Sequence, residues 1–375
     1  MSSPTISDNA TPLASTRKRR ASLLVALGTT VVAVALFGLV AERNAFWNLC
    51  LLVTIVLVTW TAAIRILPVR RVFLALSTVA ATLTVVELGF REFRTTEGRQ
   101  FVNVRQVPDV GYGPAPARTV TSSRVIDGKT IYEVDSTIDA NGLRVSPPSA
   151  PDPAATVLCF GGSFMYGEGV RDHETLPFRV GARSQGSVKI YNFAFFGYGP
   201  HQMLAMLETG SVARIVEPQG KVTAIYLMIE DHVRRCAGLS EWGMDGPRYV
   251  LDEGVVRRAG TFADRVPVIY KSEIFKRIRR RTAIEQPHHR TLLVAIVDAA
   301  RRRFEALYPG GIFHVLLWPG PRNEEFGTAL RESGLTVRVL ELPPGDLYIP
   351  GDGHPNARAH DAAAAFVLRE ILGVR

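Results

Sequence analysis

The chain has 375 residues, about two domains' worth of length, and a formal net charge of +9. Residues 1–90 hold eight Lys/Arg against three acids, a net of +5, and the rest holds 36 basic against 32 acidic residues. The excess is therefore partly topogenic, about half of it sitting in the strongly apolar N-terminal part where basic residues direct membrane topology, and it is poor evidence for nucleic-acid binding; no nucleic-acid partner is expected.

Residues 1–20 form a polar tail that is expected to be disordered through Thr16 and cytoplasmic, and that ends in Arg17-Lys18-Arg19-Arg20. Three apolar runs follow within residues 21–90: Ala21 to Ala41, Asn44 to Ile64, and Val72 to Phe90. Each approaches the roughly 20 residues that cross a bilayer as a helix. A cleaved signal peptide would have a shorter apolar run and no second span directly behind it. Arg65, Arg70 and Arg71 lie between the second and third runs, whereas Glu42 and Arg43 lie between the first and second. The basic loops belong on the cytoplasmic side, so everything after residue 90 is expected outside the inner membrane. Glu87, near the outer end of the third run, is expected to snorkel to water.

Residues 91–153 read as a connector with a small β element, in which Asp139-Ala140-Asn141-Gly142 is a turn signal. Four prolines between Ser146 and Pro153 mark its end. In residues 154–375 short apolar runs alternate with helical patterns. The strands are read at Ala155–Phe160, Val188–Phe195, Lys221–Ile229, Ile312–Trp318 and Leu335–Leu342. Helices are expected from near Asp172, from Pro200, and from Asn356 to Leu372. Continuous apolar strands separated by helices predict an α/β fold with a parallel sheet covered on both faces. Residues 237–290 interrupt this rhythm as an insertion. They carry a hairpin signal around Asp252-Glu253-Gly254 and a basic run, Lys276 to Arg281. That run is either a solvated helix face or a contact for anionic lipid or glycan.

The chemistry-bearing residues gather at the carboxyl ends of these strands, where α/β sheets place their sites. Gly161-Gly162-Ser163 follows the first strand. A serine hydroxyl needs a base to become a nucleophile. Asp352-Gly353-His354 follows the last strand and offers an imidazole with a carboxylate to orient it. Asn192-Phe193-Ala194-Phe195-Phe196-Gly197 follows the second strand, and a glycine there lets a backbone N–H approach an oxyanion. Glu230-Asp231-His232 follows the third. Cys50, Cys159 and Cys236 form no C-x-x-C pair, and no histidine matches a metal motif, so no metal and no cofactor are expected.

With these blocks in place, residues 154–375 resemble the SGNH (GDSL-like) hydrolase superfamily, in a membrane-anchored bacterial form. The resemblance implies a flavodoxin-like three-layer α/β/α sandwich. It also implies a catalytic set of Ser163, Asp352 and His354, with backbone donors from Ser163 and Gly197. Three departures stand out. Gly162 replaces the family's Asp, the last pair is Asp-x-His instead of Asp-x-x-His, and Glu230-Asp231-His232 stands where an Asn donor belongs. A carboxylate cannot donate to an oxyanion but an imidazole N–H can, so His232 is either that donor or a surface residue beside Arg234 and Arg235.

The reading that follows is a membrane-anchored serine esterase acting on an acylated small molecule or glycan. Two alternatives are O-acyl (acetyl) transfer to an envelope or exported polysaccharide, alongside the machinery that makes it, and a non-catalytic glycan-binding or assembly role.

Overall fold

The computed structural model describes residues 12–42, 46–96, 98–240, 242–266 and 269–374. The chain divides into two compact units, one within residues 1–94 and 268–277, the other within 95–267 and 278–375.

The first unit contains α1 (Pro12–Glu42), α2 (Phe46–Ala63) and α3 (Leu67–Thr96). All three are long and apolar enough to cross a membrane, over Arg19–Leu36, Phe46–Ala63 and Leu67–Glu92. Of the tail expected to be disordered, residues 1–11 lie outside the described residues, and α1 already takes in residues 12–16. Small polar groups join the helices, as is usual where apolar packing alone gives little specificity. Trp60 Nε1 donates to Thr30 Oγ1 at 2.9 Å, and Thr61 pairs with Ser77 at 3.3 Å. Glu87 does not snorkel. It is 2 % exposed, and its carboxylate accepts the Ser272 hydroxyl and the N–H groups of Glu273 (2.8 Å) and Ile274 (3.2 Å). A helix start carries unsatisfied N–H groups, and here a carboxylate from another helix satisfies them.

The second unit opens with β1 (Gly98–Phe101), β2 (Val104–Val107), β3 (Gly111–Pro114), β4 (Thr119–Ile126) and β5 (Lys129–Thr137). They make an antiparallel sheet in the order β1-β4-β5 and a β2-β3 ribbon. The turn after β5 closes through Asp139, whose backbone N–H donates to the Leu143 carbonyl at 2.8 Å.

Then follow β6 (Ala155–Gly161), α4 (Ser163–Tyr166), α5 (Leu176–Arg183), β7 (Val188–Asn192), α6 (Pro200–Glu208), α7 (Ser211–Ile215), β8 (Lys221–Met228) and α8 (His232–Cys236). The hairpin β9 (Pro247–Asp252) and β10 (Val255–Thr261) comes next, then α9 (Glu273–Thr282), α10 (Pro287–Leu307), β11 (Ile312–Leu317), α11 (Asn323–Glu332), β12 (Thr336–Val339) and α12 (Ala357–Phe366). A π turn extends α12 to Leu372.

The main sheet is wholly parallel, in the order β12-β11-β8-β6-β7. Counted along the chain, this is the 2-1-3-4-5 order of flavodoxin-like doubly wound folds. Strands β6, β8 and β11 are apolar nearly throughout because helices cover both faces; α5 packs with α12, and α6 with α10. The order reverses beside β6, which places the switch-point crevice at the carboxyl end of β6, next to Ser163.

Three boundaries differ from the sequence reading. Strand β7 stops at Asn192, whose Oδ1 accepts the Ala194 N–H at 3.2 Å and turns the chain out of the sheet. The last strand is confined to Thr336–Val339. Near Asp172 only a short 3-10 turn forms, over Asp172–Glu174, and the α-helix itself begins at Leu176 with Thr175 as its cap. Asp172 instead accepts Arg144 Nε at 2.8 Å and the Thr137 N–H at 3.1 Å.

Candidate active site

Ser163 is the first residue of α4, directly behind β6. Its N–H, being at a helix start, has no partner four residues back and is available to a ligand. The turn that carries it is rigid. A Cβ at Gly161 would come within 3.0 Å of the Leu227 carbonyl, and Gly161 has φ +154°. Arg144, 2 % exposed, holds the chain beyond α4 by donating to the carbonyls of Tyr166 (3.0 Å), Gly167 (2.6 Å) and Val170 (2.7 Å).

The loop before α12 brings its pair to this serine. His354 Nε2 lies 2.8 Å from Ser163 Oγ, and His354 Nδ1 lies 2.5 Å from Asp352 Oδ1. With a proton on Nδ1 shared with Asp352, Nε2 keeps its lone pair for the serine hydroxyl. Gly353 between them has φ +85°, which lets a two-residue spacing turn both side chains inward. Ser163 and His354 are buried, and the His354 ring packs on Phe164, which is set edge-on against Trp318. Burial opposes the charge on Asp352, but the hydrogen bond and charge of His354 and the Arg99 guanidinium outweigh it and bring the carboxyl down to about 2.

Gly197 sits at φ +68° in the segment after β7. A Cβ there would meet Trp242 Nε1 at 2.5 Å and Tyr112 Oη at 2.6 Å, so only glycine fits. Tyr112 donates its hydroxyl to the Phe196 carbonyl at 2.7 Å. That carbonyl and the Gly197 N–H belong to one trans peptide, so Tyr112 sets the direction of the N–H.

The three residues after β8 separate. Glu230 accepts the Arg322 N–H at 2.6 Å and Asp231 pairs with Arg235 at 2.8 Å. His232 turns inward and is fully buried, with Nδ1 bonded to Tyr226 Oη at 2.6 Å and Nε2 without a partner. Nε2 would lie 3.1 Å from a Cβ at Gly162, the residue before the serine. Burial, then the nearby Arg235 and His201, push this imidazole well below its ordinary value, so it is neutral. If Tyr226 donates to Nδ1, no buried hydroxyl proton is stranded, and the ring proton then lies on Nε2.

The sequence reading missed the contribution of the connector. Arg99 Nη2 donates to Asp352 Oδ2 at 2.7 Å, and Arg99 Nε lies 3.0 Å from Glu168 Oε1. Glu168 is itself 3.3 Å from His354 Nε2 and accepts the Tyr132 hydroxyl at 2.7 Å. The one signal for this in the sequence is an acid between two glycines, Gly167-Glu168-Gly169, five residues past the serine. Among the described residues no cluster of His, Cys, Asp or Glu could hold a metal ion.

No family model matches the chain, and no curated protein matches it. Similar solved structures include a member of the lipolytic protein G-D-S-L family from Veillonella parvula, at 14 % identity and TM-score 0.37, covering 58 % of this chain and 98 % of that one. An acetyl xylan esterase from the rumen bacterium Butyrivibrio proteoclasticus has 10 % identity and TM-score 0.38, covering 74 % and 89 %. A family two carbohydrate esterase from Cellvibrio japonicus has 11 % identity and TM-score 0.38, covering 74 % and 82 %.

Proposed function

We propose that the chain is a membrane-anchored serine esterase that works through an acyl-enzyme on Ser163, with an acylated glycan as its substrate. The observation that carries this reading is the continuous line of hydrogen bonds from Asp352 through His354 to Ser163, at 2.5 and 2.8 Å. His354 takes the hydroxyl proton as Ser163 Oγ attacks the acyl carbonyl, and Asp352 stabilises the imidazolium. The N–H groups of Ser163 and Gly197 and the Nε2–H of His232 receive the oxyanion. Collapse expels the alcohol, which takes its proton from His354. Water, deprotonated by the same histidine, attacks the acyl-enzyme and releases the acid.

O-acyl (acetyl) transfer is the second reading, because it needs the same acyl-enzyme and the burial of Ser163 and His354 limits the access of water. The membrane part of the proposal places α1–α3 across the inner membrane with residues from 91 onward outside the cytoplasm, following the basic clusters at 17–20 and 65–71.

The full chain in detergent is assayed on p-nitrophenyl acetate, with and without an added oligosaccharide. Ser163-dependent release of acetate into water supports the esterase, and acetylated oligosaccharide supports the transferase. Turnover that survives in Ser163→Ala removes both. A phosphatase fused after Arg91 is active if that end is exported; an expressed but inactive fusion overturns the orientation.

A further inference from the structure

The catalytic histidine has two carboxylate neighbours. Asp352 binds Nδ1, and Glu168 Oε2 stands 3.3 Å from Nε2, beside Ser163 Oγ. The Glu168 side chain is 3 % exposed, which is costly for a carboxylate unless it is paired. Its partners come from one row across the β1-β4-β5 sheet. Arg99 on β1 is directly opposite Arg124 on β4, and Arg124 is directly opposite Tyr132 on β5.

Two arginines facing one another across strands repel unless an anion lies between them. Here the anions are the two carboxylates beside His354. Arg99 spans Asp352 (2.7 Å) and Glu168 (3.0 Å), and Arg124 Nε approaches Asp352 at 3.5 Å. Tyr132 donates to Glu168, and burial followed by the charge of Glu168 keeps that phenol protonated by raising it strongly. A second histidine near His354, His360 on α12, is held neutral at about 3 by burial, then Arg144 and Arg179.

We propose that Glu168 is a positioning residue for His354, a second carboxylate that stabilises the imidazolium formed when Ser163 gives up its proton, and that Arg99 is its counterweight. The charge on Glu168 favours protonated His354, while the charge on Arg99 opposes it. A purely structural role for either residue would not produce opposite electrostatic effects. The pair thus biases, in opposite directions, how readily the histidine takes the Ser163 proton. This inference rests on the Ser163 reading above.

The test is the pH dependence of Ser163 phosphonylation by a fluorophosphonate, measured as a rate on the full chain in detergent. Glu168→Gln is expected to slow labelling and to move the acid limb down by about one pH unit, the lower end of what a nearby charge produces. Arg99→Gln is expected to move the limb up by a similar amount, and Arg99→Lys to restore it. Limbs that stay put, or that move the same way in both variants, overturn the inference while leaving the esterase intact. A wild-type chain with no Ser163-dependent labelling overturns both.

Discussion

Arg235 Nη1 fills the space in which a side chain at position 162 would have to lie, and the Tyr198 carbonyl holds it there at 2.8 Å. Gly162 is therefore matched to Arg235, and the Asp that the SGNH family carries at this position would not fit. Gly162→Asp is expected to lose at least ten-fold in Ser163 labelling. Gly162→Ala is expected to destabilise by about 1–3 kcal/mol, as overpacked cores do, read from thermal unfolding in detergent. Full labelling by Gly162→Asp would mean that Arg235 can move aside freely.

His232 carries the third donor in this account. His232→Ala is expected to lower kcat on p-nitrophenyl acetate by roughly 10²–10³, the usual loss for one oxyanion donor, with little change in KM. His232→Asn keeps an N–H donor and is expected to recover part of the rate. A His232→Ala enzyme with wild-type kcat would leave the oxyanion to the two backbone donors alone.

Tyr112 acts one step further out, through the peptide that bears the Gly197 N–H. Tyr112→Phe removes only the hydroxyl that fixes the Phe196 carbonyl. A fall of about ten-fold in kcat is expected, the equivalent of one net hydrogen bond of about 1.4 kcal/mol. An unchanged kcat would show that the 196–197 peptide is held by its other neighbours.

What the sequence made legible, and what it hid, follows from how far apart the interacting residues lie in the chain. Ser163, Gly197 and His232 each lie within five residues of the end of a parallel strand, and Asp352 and His354 precede a helix capped by Asn356. Local pattern therefore marked these positions as candidates, and the alternation of strands and helices implied a parallel sheet. Arg99 and Glu168 are 69 positions apart, and nothing local marks Arg99 as facing Asp352 and Glu168. Asp172 does not cap an α-helix, as an acid in that place usually does, because Arg144 and the Thr137 N–H bind it once the connector folds back. The role of Glu87 is equally hidden from local pattern, because its partners at 272–274 are remote in sequence.

The buried histidines predict acid sensitivity. His201 is held at about 3 by burial and then Arg235, and His360 at about 3 by burial and then Arg144. Each is neutral when folded but titrates near 6.5 when unfolded, so each contributes stability above that pH and loses it as pH falls toward 3. Asp352, at about 2, adds a loss confined to the interval from about 3.9 down to 2. The unfolding temperature in detergent is expected to fall steadily from pH 6.5 to 4. His360→Gln, which keeps an acceptor for the Leu176 N–H, is expected to flatten that slope. A flat wild-type profile between pH 6.5 and 4 would contradict the burial of these rings.

The central claim is that Ser163 is a nucleophile activated by His354. It is tested most directly by treating the full chain with a fluorophosphonate and locating the adduct by peptide mass spectrometry. The account predicts one adduct, on Ser163, which is abolished in Ser163→Ala and strongly reduced in His354→Ala. An unlabelled Ser163 in the folded wild-type chain, or labelling unaffected by loss of His354, would contradict it.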